Sequence, residues 1–335
     1  MKKSSDHLFR PMRVQVKTGS QAEKLHYRYA GLPGNPLPMP KAIAAGIAPS
    51  PTRDLLFHGG KTVPVMQFQN LYVGGEAAWQ ESDIANIDRA IATAMSDERL
   101  DNVMVQYFPG QKISCTAIAS RVLASAKPGT VSQGDVEALL RKLHAQGALA
   151  GHDLATTIFN FVLPSGTVLT DGTPPTGSLA DAPTARRAAA KPQRVASSLS
   201  GLGGYHGSVH PNKKTTLYYS VNVFSEILAN GIENGIAVFD QSWKNVVATL
   251  YHELNEFRTD PDVQDTINTG DSTFLGWTSR QGQEVGDFPI IAAGGDLQLV
   301  FKQVKATGKT FFLPIQFQYS NFVHGPEGPI KKPHQ

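Results

Sequence analysis

The sequence predicts an α+β fold with a mixed α/β arrangement, and three observations support this prediction. Segments with apolar residues at every third or fourth position are interspersed with short segments rich in β-branched and aromatic residues. The two kinds of segment follow no regular strand–helix–strand rhythm, which a doubly wound parallel fold would show. The chain has 335 residues, which is enough for one large domain or two ordinary ones, and we find no internal repeat.

The first part of the chain is predicted to be a long irregular arm. Prolines are concentrated between Gly31 and Pro40, and they fix the backbone angle φ and remove amide donors. This run therefore suits neither a helix nor a central strand. The predicted organisation is an irregular arm at 1–53, a single domain at 54–325 and a tail at 326–335.

The elements expected after the arm are two amphipathic helices and four strands. In the first helix the apolar residues Ile84, Ile87 and Ile91 recur at helical spacing, and Ser82 is the expected N-cap. The second helix has its apolar residues on one side, and Gly147 is expected to end it. The predicted helices are 82–95 and 132–146, and the predicted strands are 63–73, 102–108, 155–163 and 217–224.

The composition of three further stretches predicts their structure. Residues 171–203 contain almost no large apolar side chain, so we expect a flexible surface excursion there rather than a domain junction. Residues 262–296 are rich in glycine and are expected to form turns. Residues 297–304 and 310–319 are expected to pair as a hairpin of strands.

The most informative stretch is 242–261, which reads as a single helix. His252 and Glu256 are four residues apart, so they lie on one helix face and offer a nitrogen and a carboxylate oxygen to a zinc ion. Glu253 follows the histidine, where His-Glu-x-x-His metalloproteases carry their general base. Glu256 stands where those enzymes have a second histidine.

The amphipathic pattern alone does not separate a metal-site helix from an ordinary surface helix whose charged face is solvated. The helix ends before Pro261, and Glu253, Glu256 and Asp260 cluster in its last turns. Negative charge at a helix C-terminus opposes the helix dipole, and Arg258 offsets it only partly. A bound cation would offset this charge better, which favours a metal site.

A catalytic zinc site needs a third protein ligand from outside the helix. The candidates are Glu284 and Asp287 in a glycine-rich loop, and His206 between glycines. The ordinary alternatives are that the two acidic residues are turn or capping residues, and that His206 bonds to backbone. His58 and His210 are weaker candidates.

Composition excludes several other classes of function. The net charge of +3 is small and the charges are interspersed, so the sequence does not indicate a nucleic-acid partner. The single Cys115 excludes an internal disulfide and a zinc site of several thiolates. We find no membrane-spanning segment and no export signal in the sequence as written, so we expect a soluble protein. Localisation and oligomeric state stay undetermined.

Several short motifs occur in a fixed order and together resemble a known family. That family consists of bacterial and fungal proteins with the pattern His-Glu-Leu-x-Glu-x-x-Thr-Asp-Pro, then Glu-Ile-Gly-Asp, then Trp-Ser-Asn. More distantly, the chain is similar to plant phosphate-induced (Exordium-like) proteins. The motifs that carry the resemblance lie at 57–60, 204–208, 252–256, 259–261, 276–277, 284–287 and 318–321.

The resemblance implies a zincin-like fold, in which a mixed sheet packs on a helix that bears the metal residues. It also implies that His252 and Glu256 are metal ligands, that Glu253 is the general base, and that the loop with Glu284 and Asp287 completes the site. Relatives usually have an export signal and several cysteines, and this sequence has neither.

The expected function is therefore that of a zinc-dependent metallohydrolase of the peptidase type, acting on a peptide or protein. The alternative is a non-catalytic binding module that is stabilised by its metal. Zn²⁺ is the expected cofactor, with Ca²⁺ or no metal as alternatives, because a carboxylate in place of a histidine shifts preference towards harder cations.

Overall fold

The computed structural model describes residues 14–17, 20, 44, 46–172 and 196–334. Within them, helices and strands are mixed as the sequence predicts. The helices are α1 (Glu81–Ala94), α2 (Glu98–Met104), α3 (Gln133–Ala145), α4 (Ser242–Thr259), α5 (Val263–Thr269) and α6 (Asp287–Ala292). The strands are β1 (Val14–Val16), β2 (Leu55–Phe57), β3 (Val65–Tyr72), β4 (Ser114–Val122), β5 (Thr130–Val131), β6 (Thr157–Val162), β7 (Val168–Leu169), β8 (Leu202–Asn212), β9 (Thr215–Asn222), β10 (Glu226–Ile227), β11 (Glu233–Asn234), β12 (Trp277–Ser279), β13 (Phe301–Lys305), β14 (Phe312–Gln316), β15 (Gln318–Ser320) and β16 (Gly325–Glu327).

A six-stranded mixed sheet forms the centre of the described structure. Its order is β1-β8-β9-β6-β3-β4. The strands β9, β6, β3 and β4 run parallel to one another, whereas β8 pairs antiparallel with β9 and β1 with β8. The strand β6 is buried along its whole length, as expected for a central parallel strand covered on both faces.

Helices α1 and α4 cover one face of this sheet. The stripe of α4 that the sequence predicts to be apolar is fully buried, including Val246, Leu250, Leu254 and Phe257. It packs with apolar residues of α1, of β3 and β6, and of the β13–β14 hairpin. Each such side chain contributes roughly 1.5–3 kcal/mol of burial free energy, and this contribution keeps α4 against the sheet.

Helix α3 covers the other face. Ser132 accepts a hydrogen bond from the backbone N–H of Asp135, and the Asp135 carboxylate accepts one from the Ser132 N–H. This capping box begins the helix at the position that the sequence predicts. Val136, Leu140 and Leu143 then pack against the sheet.

Two local predictions are wrong. Residues 102–108 are not a strand, because α2 and a following 3-10 turn occupy this region. The Asp97 side chain caps α2 by accepting the Arg99 N–H, and Leu100, Val103 and Met104 are buried at helical spacing. Ser82 is not an N-cap, since α1 already begins at Glu81 and Gln80 occupies the cap position.

The strands that the sequence analysis did not predict include β4 and β8. The strand β4 lies at the edge of the sheet and is largely exposed, so it lacks an apolar pattern. The strand β8 begins with glycines at positions 203 and 204, and glycine weakens a strand signal. The stretch 262–296 holds α5, β12 and α6 in addition to turns. The hairpin at the C-terminal end is confirmed as β13 and β14.

Most of the predicted arm, and residues 173–195 of the predicted excursion, lie outside the described residues. Within the arm, β1 pairs with β8 at the edge of the sheet, which was not expected. The last part of the predicted excursion is wrong: Ser197 forms an antiparallel bridge with Thr170, a 3-10 turn follows at Ser198–Ser200, and β8 begins at Leu202.

In the part of the chain that the structure describes, no helix combines the length and the apolar character required to cross a bilayer.

Candidate metal centre

The charged face of α4 is buried. His252, Glu253 and Glu256 each have 0 % of their surface exposed. The interpretation of this helix as an ordinary surface helix with a solvated charged face is therefore wrong. Burying ionisable groups is costly unless other groups or ions compensate them, so the surroundings of these three side chains decide what the helix can do.

Three other parts of the chain cover this face of α4. The strand β8 brings His206, the loop before α6 and the first residue of α6 bring Glu284 and Asp287, and β14 brings Gln316. All four side chains are buried. A glycine is required at position 286, because a Cβ atom there would lie 2.3 Å from His252 Nδ1. The loop can therefore reach the helix only with its bare backbone.

The first group of candidate ligands consists of His252, Glu256 and Asp287, whose ligand atoms all lie within 4.8 Å of one another. His252 Nε2 is 3.1 Å from Glu256 Oε1. The same oxygen accepts a hydrogen bond from the Gly286 N–H at 3.2 Å.

Gln316 fixes the orientation and tautomer of His252. Its Nε2 donates to the Gly286 carbonyl, so its Oε1 is left as the acceptor for His252 Nδ1 at 3.0 Å. The proton of the neutral imidazole is thereby assigned to Nδ1, and the Nε2 lone pair faces Glu256. Outer partners of this kind commonly orient metal-binding histidines.

The second group consists of His206, Glu253 and Glu256, whose ligand atoms also lie within 4.8 Å of one another. His206 Nδ1 lies 3.2 Å from Glu253 Oε2 and 3.6 Å from Glu256 Oε2. Its other nitrogen lies 3.3 Å from the Asp260 carbonyl oxygen. Glu256 is thus common to both groups.

Glu284 and Asp287 have different positions in the site. Asp287 Oδ2 accepts the Glu284 N–H at 2.9 Å, so the expected turn interaction is present together with a place in the first group. Glu284 belongs to neither group, but its Oε1 is 3.5 Å from His206 Nε2. Neither Glu284 side-chain oxygen has a hydrogen-bond partner among the described residues.

Burial is the main influence on the ionisation of these groups. It lowers the pKa of His252 to about 4, so this imidazole is neutral at pH 7. Burial also raises the pKa of Glu256, Asp260, Glu284 and Asp287 well above the usual range of carboxyl groups. For Glu284, the negative charges of neighbouring carboxylates add to this rise.

The nearest buried cation on α4 does not compensate this charge. Arg258 Nη1 is 3.1 Å from Asp101, on the side of the helix that faces α2. Among the described residues, the ion pairs formed by Glu256 and Glu284 involve only histidine.

Several buried polar atoms in the site have no hydrogen-bond partner within the described chain. They are His252 Nε2, Glu256 Oε2, Asp260 Oδ2 and both side-chain oxygens of Glu284. Buried polar groups are normally hydrogen-bonded, so a group of such atoms in one place fits a ligand. Imidazole nitrogens and carboxylate oxygens are suitable donors for zinc and for harder divalent cations. The residues present therefore fit a bound metal ion.

The structure brings together the six main candidates of the sequence analysis, which are His206, His252, Glu253, Glu256, Glu284 and Asp287. Gln316 was missed, because a glutamine in a strand carries no local signal of a role at a histidine. The two weaker candidates lie elsewhere: His58 Nε2 is 3.4 Å from the Thr278 carbonyl, and His210 Nε2 is 2.7 Å from Asp265 Oδ1.

Comparison with known proteins returned no match, whether to protein-family models, to curated proteins or to solved structures.

Proposed function

We propose that this protein is a metal-dependent hydrolase of the peptidase type, with zinc as its cation. The observation that carries the proposal is the group His252, Glu256 and Asp287, with Glu253 beside it. Glu253 Oε1 is 4.0 Å from His252 Nε2. Three protein ligands and an adjacent carboxylate are the set of groups found in catalytic zinc sites. The motif order described above supports the same class of protein.

In this proposal each residue has one task. His252, Glu256 and Asp287 would hold the cation, and Gln316 would keep the His252 ring in its ligating tautomer. A bound zinc ion lowers the pKa of water to roughly 7 and polarises a carbonyl group. Glu253 would accept a proton from the attacking water and donate it to the leaving amine.

The carboxylate of Glu256 influences which cation is suitable. Two carboxylates and one imidazole carry more negative charge than the two histidines and one glutamate of thermolysin-type sites. A more negative ligand set weakens the cation as a Lewis acid and favours harder ions. Calcium and manganese are therefore the alternatives to zinc.

A second candidate function is a non-catalytic module with a structural metal. It is favoured by the burial of the site, since Asp287 is only 2 % exposed and the other two ligands are fully buried. Structural metal sites are closed, whereas catalytic sites keep a position open to substrate. In the catalytic case, a substrate could reach the cluster only if the surrounding chain moved.

The two functions are separated by metal analysis combined with a Glu253→Gln substitution. We expect about one or more equivalents of divalent metal in the purified protein. In the variant we expect at least one equivalent of metal to be retained and the cleavage of a library of internally quenched peptides to fall by about 10²–10⁴-fold, the usual contribution of a general base. The matched control is Glu81→Gln, an exposed position in the first turn of α1.

Two outcomes would contradict the catalytic proposal. Folded wild-type protein that contains no divalent metal, and binds none when zinc is supplied, excludes both functions. Metal-containing protein that cleaves no peptide, but melts at a lower temperature after metal removal, favours the structural module.

A further inference from the structure

The carboxylate of Glu256 lies between two histidines, and each of its oxygens faces one of them. Oε1 is 3.1 Å from His252 Nε2, and Oε2 is 3.6 Å from His206 Nδ1. One carboxylate that offers its two oxygens to two separate sets of ligands is the geometry of a bridging ligand. In two-metal hydrolytic sites the ions are roughly 3.5–4 Å apart, a distance that one bridging carboxylate can span.

The side chain of His206 is arranged as a ligand. Its Nε2 lies 3.3 Å from the Asp260 carbonyl oxygen, the kind of outer partner that commonly orients a metal-binding histidine. Its Nδ1 lies 3.2 Å from Glu253 Oε2 and 3.6 Å from Glu256 Oε2, so a cation bound to Nδ1 would meet both carboxylates.

The site also has more carboxyl groups than one cation uses. Five are buried here, those of Glu253, Glu256, Asp260, Glu284 and Asp287, and none of them is more than 2 % exposed. The first group of ligands uses only Glu256 and Asp287, so Glu253 is available as a ligand of a second cation.

A buried carboxylate oxygen without a hydrogen-bond partner lies at the second position. Glu256 Oε2 lacks such a partner among the described residues, whereas Oε1 of the same carboxylate accepts the Gly286 N–H. Oε2 is the oxygen that faces His206 Nδ1. Glu284 instead approaches the opposite nitrogen of the His206 ring, Nε2, and belongs to neither group of ligands.

We propose that the site holds two divalent cations bridged by Glu256, with His206 and Glu253 as the ligands that complete the second position. This inference rests on the proposed function for its first cation and adds the second. Glu253 would bind through Oε2, which faces His206, while its Oε1 faces the first group. The second cation is expected to be zinc-like or manganese-like, because its donors are one imidazole and two carboxylates.

The test is the number and the coupling of bound ions in the full-length protein. Metal-free protein is titrated with Mn²⁺, the bound metal is counted by elemental analysis, and electron paramagnetic resonance reports whether two manganese ions are coupled. We expect two equivalents in the wild-type protein, with the spectrum of a coupled pair. We expect one equivalent in His206→Ala, with the spectrum of an isolated ion.

The matched control is His210→Ala, in which a partly exposed histidine outside the cluster is removed; it should keep two coupled ions. One equivalent in the wild-type protein would overturn the second site, would identify His206 as an imidazolium paired with both carboxylates, and would leave the proposed hydrolase intact. No bound metal would overturn both proposals. The wild-type count decides the question even if the His206→Ala variant does not fold.

Discussion

Two regions of this molecule bury polar side chains on the same face of the sheet, and they differ in how these side chains are satisfied. The first is a polar row across β3, β6 and β9. Asn70 donates to Asp88 on α1, Asn160 donates to Asn70, and Ser220 donates to Asn160, with distances of 2.8–2.9 Å. The residues Asn70 and Asn160, and then Asn160 and Ser220, are direct partners in the strand register.

The second region is the cluster of carboxylates and histidines under α4. It adjoins the polar row, since His206 is the register partner of Ser220 on the neighbouring strand. Here His252 Nε2 and both Glu284 oxygens lack hydrogen-bond partners in the described chain. The polar row is complete without any other molecule, whereas the cluster is not. The difference teaches that burial alone does not mark a functional site, and that incomplete satisfaction of ionisable groups does.

The largest expected effect is that of metal removal on the cluster. We expect a chelator to lower the free energy of unfolding by about 4 kcal/mol, the stabilisation that a ligand provides at 1,000 times its dissociation constant. Calorimetry before and after chelation, and after zinc is restored, measures this change. An identical melting temperature in all three samples would show that the cluster, like the polar row, needs no bound metal ion for its stability.

The metal-free protein should also lose stability as pH rises above 6.5. Burial raises the pKa of Glu256, Asp260, Glu284 and Asp287, so the folded state binds more protons than the unfolded state between the ordinary and the raised pKa values. His252 has a pKa lowered by burial to about 4 and acts in the opposite direction, but only below the ordinary histidine pKa of 6.5.

For each carboxyl group that stays protonated in the folded state, the expected loss is about 1.4 kcal/mol per pH unit. Urea unfolding of the metal-free protein between pH 6.5 and 8.5 measures it. The metal-loaded protein should show a smaller loss, because its ligands Glu256 and Asp287 are already deprotonated. A metal-free protein that gains stability over this range would contradict the expected protonation of the cluster.

A smaller effect is expected from breaking the polar row with Asn160→Ala. The substitution leaves Asn70 Oδ1 and the Ser220 hydroxyl without their partner. We expect a loss of about 2 kcal/mol, since an abandoned buried polar group costs roughly 1–3 kcal/mol. Chemical denaturation measures the loss, and Asn268→Ala at an exposed position is the control. Metal content should not change; its loss would show that the row and the cluster act as one unit.

The smallest effect is expected from His210→Ala. The His210 side chain is 44 % exposed and pairs with Asp265 away from the cluster. We expect a change of at most about 0.5 kcal/mol in the free energy of unfolding and no change in bound metal. A loss of metal in this variant would mean that the site extends further than the two groups of ligands.

Local sequence patterns predicted those elements whose signals are contained within them. Helix α3 has a capping box and an apolar stripe, and β6 has a continuous apolar run, so both were predicted within two residues at either end. The strand β4 was missed because an exposed edge strand lacks an apolar pattern. The segment of α2 was misread because a short apolar run does not distinguish a helix from a strand.

The candidate site was only partly predictable for a similar reason. The spacing of His252 and Glu256 follows from the pitch of one helix, so the sequence was sufficient to place these two side chains together. His206 approaches the helix from β8, 47 residues away from Glu253 in the chain. No local pattern reports a contact over that distance, and the sequence analysis could name His206 only as one of several candidates.

The sequence by itself determined that 242–261 holds an amphipathic helix with His252 and Glu256 on its polar face and Glu253 beside them, because periodicity and helix geometry are local properties. Only the tertiary structure decided that this face is buried, that His206 and Asp287 meet it from two sides, and that Gln316 orients His252. The physical reason is that burial and ligand geometry depend on which distant segments pack against the helix. A helical wheel gives the direction of a side chain but not its surroundings.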